Sequence, residues 1–359
     1  MKYIDEYRDK ELVKKLVDQI KKRSTKQISL MEVCGGHTMA IQKFGIPSLL
    51  PENIRLISGP GCPVCVSSNS FIDQAIAYSR LEDVIITTYG DLIRVPGSTS
   101  SLDKEKAKGA DVRIVYSILD ALTIAKKNLR KKVVFLGIGF ETTAPSSAAG
   151  IIKAQVAGLR NFYLLSSHKI MPPAMEALID EGVKIDGYIA PGHVSTITGS
   201  GIYKNIPEKF GLGVVISGFE PFDLLKSILM LVNQMENNNP KVEIAYTRAV
   251  KPKGNIKAQK MMKEVFELAD DWWRGLGVLP KSGLRINEKY KMFAAEKMIP
   301  VEVEPTKEDK GCICGEILKG LKNPKECKLF DKACTPANPV GACMVSHEGA
   351  CNAYYRYNK

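Results

Sequence analysis

Nine cysteines divide this 359-residue chain into a head and a tail. Six of them fall in the last 48 residues, between Cys312 and Cys351. The other three lie upstream, Cys34 in "VCGGHT" and Cys62 with Cys65 in "GPGCPVC". Thiolates act as nucleophiles, as redox pairs and as ligands of soft metals. The partition therefore predicts a reactive-thiol head and a metal-binding tail, between which electrons or a soft metal are moved.

The tail has the spacing C-x-C-x12-C-x6-C-x8-C-x7-C. Zinc sites usually combine two C-x2-4-C pairs, whereas an iron–sulfur cubane accepts four thiolates from a loosely spaced loop. A segment of this length rarely packs a core alone, so a cluster that staples it is expected. Zinc, disulfides and inert buried thiols are the alternatives, and spacing does not choose which four cysteines would be ligands.

The C-x-x-C spacing of Cys62 and Cys65 is typical of a redox dithiol, because thiols one helical turn apart can form a disulfide. A helix N-terminus would lower the pKa of the first thiol and make it the nucleophile. Pro63 fixes the backbone within the motif. The alternative is half of a zinc site, which the surrounding glycines and prolines do not favour.

Cys34 stands on a glycine loop three residues before His37. A cysteine in this setting can serve as a nucleophile or a metal ligand. The alternative is a buried cysteine that only packs.

Charge and hydropathy exclude several classes of protein. The net charge of +12 comes from lysines spread along the chain, without a basic block interleaved with aromatic residues, so no nucleic-acid partner is expected. The surplus could attract an acidic partner. No apolar run reaches the roughly 18 residues that span a bilayer, and the first twenty residues lack the apolar stretch of a signal peptide. We therefore expect a cytoplasmic protein without a membrane partner, in which cysteines are ligands or redox groups.

Short apolar runs alternate with helix-length segments from about residue 28 to residue 248. Runs of this kind predict βαβ units and mainly parallel sheet. Amphipathic helices are predicted over residues 4–23 and 256–273. The predicted strands are "ISLMEV", "IRLIS", "VIITTY", "VRIVYSI", "KVVFLGIG", "FYLLSS", "GYIAP", "GVVISG" and "EIAYTRA".

Glycines and functional side chains gather where these strands end, which is where open parallel sheets bind ligands. Glu141 is expected to bind a partner or to cap the next helix. His168 and His193 are interpreted as hydrogen-bonded histidines of the core or of a cleft rather than as ligands. The motifs at the strand ends are "CGGHT", "GPGCPVC", "GD", "GFETT", "SHK", "PGHVS" and "GFEP".

The fold class that follows is α/β, with two similar lobes of mainly parallel sheet around a cleft and a cysteine-rich C-terminal domain with flanking helices. The first lobe is predicted over residues 25–130 and carries "CGGHT" and "GPGCPVC". The second is predicted over residues 131–248 and carries "GFETT" and "APGHVS". Residues 1–24 and 249–359 are expected to form the helical and cluster-binding domain.

Taken together, "CGGHT" (34–38), "GPGCPVC" (59–65), "GFETT" (139–143) and "APGHVS" (190–195) with the six-cysteine tail resemble the HypD family of hydrogenase maturation proteins. The resemblance runs nearly end to end and in the same order. It implies a scaffold for assembling the Fe(CN)2CO group of [NiFe]-hydrogenases, working with a HypC-type chaperone and a HypE-type cyanide donor.

The resemblance also assigns roles to particular residues. Cys34 is the expected ligand of the transient Fe(CN)2CO iron, supported by a hydrogen bond from His37, and Cys62 with Cys65 is the expected redox dithiol. The tail is expected to hold a [4Fe–4S] cluster that passes electrons to this dithiol. The implied cluster ligands are Cys312, Cys327, Cys334 and Cys351, the implied electron relay is Cys314 with Cys343, and the implied partner or cleft residues are Glu141, Thr142, Thr143 and His193.

Two other functions fit part of this pattern. A cluster-dependent protein disulfide reductase would use the tail and "CPVC", but it would leave Cys34, His37 and "GFETT" without a role. A zinc-stabilised binding module would use the cysteines only structurally. Whether the chain is an enzyme in its own right is left open by the sequence.

Overall fold

The computed structural model of the protein describes residues 5–358, and its strands form two sheets. Sheet 1 has the order β2-β1-β7-β8-β9 and is parallel throughout. Sheet 2 has the order β10-β11-β6-β5-β3-β4, in which only the pairs that involve β11 are antiparallel. The strands are β1 (Ile28–Glu32), β2 (Ile54–Ser58), β3 (Val84–Thr88), β4 (Val112–Ile114), β5 (Lys132–Gly139), β6 (Phe162–Lys169), β7 (Gly187–Pro191), β8 (Gly213–Ser217), β9 (Val242–Ile244), β10 (Phe266–Trp273) and β11 (Gly277–Ile286).

The predicted α/β class with mainly parallel strands is confirmed, and each of the nine predicted strands is present. Strands β3, β7 and β8 are buried along their whole length, as expected for parallel strands covered on both faces. Helices fill the connections. They are α1 (Lys10–Arg23), α2 (Gly35–Lys43), α3 (Ile46–Leu49), α4 (Pro63–Val66), α5 (Asn69–Ser79), α6 (Leu102–Ala107), α7 (Ile118–Lys127), α8 (Ala144–Val156), α9 (Met171–Asp180), α10 (Gly192–Thr198), α11 (Asn205–Phe210), α12 (Pro221–Glu236), α13 (Ile256–Val265), α14 (Ala295–Met298), α15 (Cys314–Leu318), α16 (Ala342–Val345) and α17 (Ala350–Tyr357).

The N-terminal helix is shorter than its prediction over residues 4–23. Residue 4 lies outside the described residues, Asp5–Tyr7 form one 3-10 turn, and α1 begins after Asp9. The Asp9 carboxylate accepts the backbone N–H groups of Glu11 and Leu12 and so caps the helix. The apolar stripe of α1 packs on α12, where Val17 and Ile20 join the core beneath sheet 1.

The helix predicted over residues 256–273 is wrong in its second half. It ends at Val265, and residues 266–273 form β10, which pairs with β11 in a hairpin at the edge of sheet 2. Tertiary burial overrides the helical periodicity here, because β11 pairs with β6 and Trp273 becomes fully buried. Gly275 and Gly277 have φ values of +86° and +73°, which the hairpin turn requires.

The two sheets do not follow the predicted division at residue 130. Sheet 1 takes its strands from residues 28–58 and 187–244, and sheet 2 takes its strands from residues 84–169 and 266–286. The chain therefore crosses between the sheets three times, which local patterns in the sequence do not reveal. Two similar lobes around a cleft stay a prediction. Within residues 5–358, no helix combines the length and the apolar character needed to cross a bilayer.

Candidate thiol and metal site

Loops that follow strands of both sheets line one pocket of about 540 Å³, here called the Cys34 pocket. Carboxyl ends of parallel strands meet at the same edge of a sheet, so the motifs after β1, β2, β3, β5 and β7 come together. A segment of the tail closes the pocket. The lining residues are Val33, Cys34, Gly61, Pro63, Val64, Tyr89, Gly90, Asp91, Ile138, Gly139, Phe140, Thr142, Thr143, Pro191, His193, Val194, Ser346, His347 and Glu348.

Cys34 lies at the N-terminus of α2 and is half-buried. Its backbone N–H donates to Glu32 Oε2 at 3.2 Å, and the Thr38 hydroxyl donates to Glu32 Oε1 at 2.6 Å. Burial raises the pKa of the Cys34 thiol to about 12, with a smaller contribution from the charge of Glu348. The thiol is therefore protonated at neutral pH in the absence of a cation, and a bound metal would favour its thiolate form.

Glu32 contacts both the loop that carries Cys34 and the loop that carries Cys62. Its buried carboxyl group receives the Cys34 and Thr38 hydrogen bonds, and its carbonyl oxygen accepts the Gly59 N–H at 2.8 Å. Burial raises the pKa of Glu32 to about 8, and the hydrogen bond from Thr38 opposes that rise most strongly. The chain of contacts fixes the Cys34 loop against the loop that carries Cys62.

The approach of these loops leaves no room for a side chain at Gly61. Its carbonyl oxygen accepts the Gly35 N–H at 2.9 Å. A Cβ atom at Gly61 would lie 2.2 Å from the Cys34 nitrogen and 2.4 Å from its Cα atom. The glycine of "GPGC" thus allows direct backbone contact between the two motifs.

Cys62 and Cys65 are bonded to each other as a disulfide, with their Cα atoms 5.2 Å apart. Cys62 precedes the short helix α4, and both residues are buried, at 3% and 0% exposure. Gly61, Pro63 and Val64 line the Cys34 pocket, whereas neither sulfur does. The pair lies directly behind the pocket wall.

His37 does not form the expected hydrogen bond with Cys34. Its ring is fully buried against Phe219, with ring centroids 4.7 Å apart, and neither ring nitrogen has a hydrogen-bond partner of good geometry. Burial lowers the pKa of His37 to about 4, so the ring is neutral. The opposite side of the Phe219 ring stacks on His193, which is exposed in the pocket, at 4.0 Å.

Glu141 is buried and caps α9, whereas the predicted helix cap was that of α8, the next helix in the chain. Its Oε1 accepts the Met171 N–H at the start of α9, at 3.2 Å, while Oε2 has no partner. Burial raises the pKa of Glu141 to about 7.

The two threonines that follow line the pocket. The Thr143 hydroxyl donates to the Ile138 carbonyl oxygen at 3.0 Å and so closes the loop after β5. Gly139 has a φ of +137°, and a Cβ there would overlap the Thr143 side chain.

His168 is the core histidine that the sequence predicted. Its Nε2 lies 2.8 Å from the Ser147 hydroxyl, and its ring is edge-on to Phe266. Burial lowers the pKa of His168 to about 4. His168 does not line the Cys34 pocket and is part of the core of sheet 2.

Five tail cysteines converge on a second, smaller site, here called the cysteine cavity. Cys314, Cys334 and Cys351 are buried, whereas Cys312 and Cys327 are half-exposed. Apolar side chains complete the wall. The lining residues are Cys312, Cys314, Ile317, Cys327, Leu329, Phe330, Cys334, Gly341, Met344 and Cys351.

Cys343 lies outside this lining but next to it. Its thiol interacts with Cys314 and Cys351, and these two neighbours, together with burial, raise the pKa of Cys343. Cys343 belongs to α16, and the preceding residue, Ala342, has its carbonyl oxygen 4.0 Å from the Cys65 sulfur. The helix that carries Cys343 therefore lies between the cysteine cavity and the disulfide.

The donor set fits an iron–sulfur cubane. Within residues 5–358, no three cysteine, histidine or acidic side chains surround a single ion position. A cubane instead takes each ligand on a separate iron atom, and several thiols around one apolar cavity suit that requirement. The four cysteines expected as ligands, Cys312, Cys327, Cys334 and Cys351, all line the cavity together with Cys314.

Several site residues were missed by the sequence reasoning. Ser346, His347 and Glu348 of the tail close the pocket, and only the fold brings them there. Glu32 carried a weak signal because it directly precedes "VCGGHT", and Phe219 stands in the "GFEP" motif but was given no role of its own. Arg274 directly follows the helix predicted over residues 256–273, in a connecting segment to which the sequence analysis assigned no function.

Fold and site together define a class: an α/β protein in which the loop of a half-exposed cysteine contacts the loop of a buried dithiol, which in turn contacts the segment around a cysteine cavity. Comparison with known proteins agrees. The family described as "HypD: Hydrogenase formation hypA family" matches residues 11–358. Hydrogenase maturation factors HypD from Azotobacter vinelandii and Escherichia coli are 47% and 43% identical, over all of this chain and 97% and 99% of their own lengths. The chain belongs to the HypD family.

Proposed function

We propose that this protein is a hydrogenase maturation factor in which the Cys34 pocket holds iron while the dithiol and the cysteine cavity supply electrons. The proposal rests on one observation, which is that the three thiol sites contact one another in sequence. The Cys34 loop hydrogen-bonds to the loop of Cys62, and the Cys65 sulfur lies against the helix that holds Cys343. The names of full-length relatives from Azotobacter vinelandii and Cupriavidus necator, "Hydrogenase maturation factor HypD", support the same role.

Cys34 is the proposed ligand of the iron cargo. It is the half-exposed thiol of the pocket, and low-spin iron with cyanide and carbonyl groups is a soft centre suited to thiolate. A HypC-type chaperone would supply a second cysteine ligand from the open side of the pocket. Glu32 holds the Cys34 backbone and thereby the direction of the thiol.

Cys62 and Cys65 are the proposed two-electron donor for cyanide release. Cleavage of a carrier S–C≡N bond, delivered by a HypE-type partner, takes up two electrons and yields cyanide and the carrier thiolate. Oxidation of the dithiol to the disulfide yields two electrons and two protons, so the electrons balance. The thin wall of Gly61, Pro63 and Val64 keeps the sulfurs next to the iron pocket but away from solvent.

The cysteine cavity is the proposed site of a [4Fe–4S] cluster. Cys312, Cys327, Cys334 and Cys351 would hold it, and the cluster would supply electrons one at a time when bound. Cys314 and Cys343 would be the thiols between the cavity and the dithiol, since Cys343 contacts Cys314 and follows Ala342, which lies against Cys65.

The rival function, a cluster-dependent protein disulfide reductase, is favoured by the same contact between α16 and Cys65. A disulfide reductase would give no role to Cys34 or to the pocket that this cysteine lines, which argues against it.

Infrared spectroscopy of the iron bound by the protein, co-produced with HypC-type and HypE-type partners, tests the proposal. Cys34→Ser is expected to lose the iron-bound cyanide bands together with the iron. Cys62→Ser and Cys65→Ser are expected to retain iron without its full set of cyanide bands. Thr123→Ser, an exposed change on α7, is the control and should match the wild type. Fully cyanated iron in Cys62→Ser would refute the role of the dithiol.

A further inference from the structure

Arg274 is a buried arginine that none of the sequence motifs includes. It lies in the turn between β10 and β11 and is 7% exposed. Burying a guanidinium costs free energy unless its N–H groups are hydrogen-bonded. The partners of Arg274 therefore indicate which segments it positions.

One side of Arg274 holds the end of the dithiol helix. The guanidinium Nε donates to the Cys65 carbonyl oxygen at 3.0 Å, and Nη2 donates to the Ser67 carbonyl oxygen at 2.9 Å. The Arg274 backbone N–H donates to the Val66 carbonyl oxygen at 3.1 Å. Helix α4 has only four residues, so its last carbonyl groups have no helical partners. One residue satisfies three consecutive carbonyl groups at that end.

The other side of Arg274 faces the tail. Arg274 lines a pocket of about 270 Å³ together with Cys312 and Cys314, and Nη1 pairs with the half-exposed carboxylate of Glu308 at 2.8 Å. The next residue, Gly275, packs on α15, because a Cβ there would lie 2.5 Å from the Gly315 carbonyl oxygen. The hairpin turn is thus inserted between the dithiol helix and the helix that begins at Cys314.

We propose that Arg274 is a positioning residue that fixes the Cys62–Cys65 helix against the cysteine cavity and favours the reduced dithiol. The guanidinium is hydrogen-bonded to the backbone of Cys65, and a buried cation in the neighbourhood of a thiol favours the thiolate. Stabilising the reduced form makes a dithiol–disulfide pair more oxidising. Arg274 therefore biases the pair toward accepting electrons from the side of the cysteine cavity. This inference rests on the proposed redox role of the dithiol.

The test measures the thiol–disulfide equilibrium of Cys62 and Cys65 in the full-length protein. Variants purified without oxygen are equilibrated with reduced and oxidised glutathione, and the fraction of disulfide is read from alkylation and mass spectrometry. Arg274→Met is expected to shift the equilibrium toward the disulfide about tenfold, which corresponds to roughly 30 mV. Arg274→Lys keeps the charge and should shift it less than about threefold. Lys307→Met removes an exposed cation that lines the same pocket and should leave the equilibrium unchanged.

A second variant keeps the test decisive if Arg274→Met does not fold. Glu308→Gln removes the partner that partly neutralises the guanidinium, so it should shift the equilibrium toward the dithiol. The inference is refuted if folded Arg274→Met matches the wild type, or if Lys307→Met shifts the equilibrium equally. Either result leaves the proposed function standing, because that function fails only if Cys62→Ser still gives fully cyanated iron.

Discussion

The Cys34 pocket and the cysteine cavity hold their thiols in two different ways. Loops that follow five strands of two buried sheets line the pocket, and backbone contacts such as that of Gly61 with Gly35 fix them. The cavity is enclosed by turns and by helices of four to eight residues in the tail. Strand ends on a packed core are rigid without any ligand, whereas a segment with so little regular structure needs a further link.

This contrast predicts which of the two sites is formed before its proposed metal binds. Tail residues such as Ile317, Met344 and Val345 are packed in the same apolar cluster as Val64 and Cys65, so one face of the tail is already fixed on the head. The opposite face, with Cys312 and Cys327, is half-exposed. We expect the pocket to be preformed and the cavity to be completed by what its thiols bind.

The largest expected effect is that of removing the metal. If the cysteine cavity holds the proposed cluster, removing that cluster should lower the local stability of the tail by more than about 5 kcal/mol, because metal binding supplies folding free energy directly. Hydrogen exchange should rise in residues 312–351 and stay slow in β1, β7 and β8. If hydrogen exchange in residues 312–351 is equally slow with and without iron, the cysteine cavity is as preformed as the Cys34 pocket and the prediction is wrong.

A change at Gly61 tests whether backbone contact fixes the pocket. Gly61→Ala places a methyl group 2.2 Å from the Cys34 nitrogen, which is a severe steric overlap, so the free energy of unfolding should fall by about 3 kcal/mol. Gly201→Ala is the matched control, because a Cβ at Gly201 meets nothing within 4 Å. Chemical denaturation of both variants measures the difference. A Gly61→Ala protein as stable as Gly201→Ala would show that the two loops are free to separate.

The pH dependence of stability tests the burial of Glu141, whose neighbours Phe140 and Thr142 line the Cys34 pocket. Glu141 has a pKa of about 7 in the folded protein against 4.5 as its ordinary value. Between these values the carboxyl group ionises only in the unfolded state, which favours unfolding as the pH rises. Glu141→Gln cannot ionise, so its stability relative to the wild type should rise by roughly 2 kcal/mol from pH 4.5 to pH 7.

The control for this series is Glu208→Gln, an exposed change on α11. Its stability relative to the wild type should stay constant over the same range in urea titrations. A constant difference for Glu141→Gln as well would mean that water reaches the carboxyl group.

The smallest expected effect concerns the loop after β5. Thr143→Val removes the hydrogen bond to the Ile138 carbonyl oxygen and should cost about 1 kcal/mol. Thr123→Val removes an exposed hydrogen bond to Leu119 and should cost less. Thermal unfolding compares the two variants, and an equal loss would indicate that the pocket wall gains no rigidity from Thr143.

Much of the fold could be predicted because its signals are local. The nine parallel strands show as short Val- and Ile-rich runs, and the motifs at their ends mark the pocket lining, including Cys34, Gly61 and His193. His168 was interpreted as a histidine of the core or of a cleft because it stands at the end of the predicted strand "FYLLSS".

What could not be predicted depends on contacts between distant segments. The helix over residues 256–273 failed because Trp273 is buried only once β11 pairs with β6. His37 stacks on Phe219, which lies 182 positions away, so no local pattern could show that its ring turns from Cys34. The chain's three crossings between the sheets likewise leave no local trace.

The most direct test of the account is the iron, acid-labile sulfide and zinc content of protein purified without oxygen, measured with its visible spectrum. The account predicts iron and sulfide in equal amounts and a broad brown charge-transfer band, both lost in Cys334→Ala with Cys351→Ala. Zinc without colour would contradict it, because the cysteine cavity would then supply no electrons to Cys62 and Cys65.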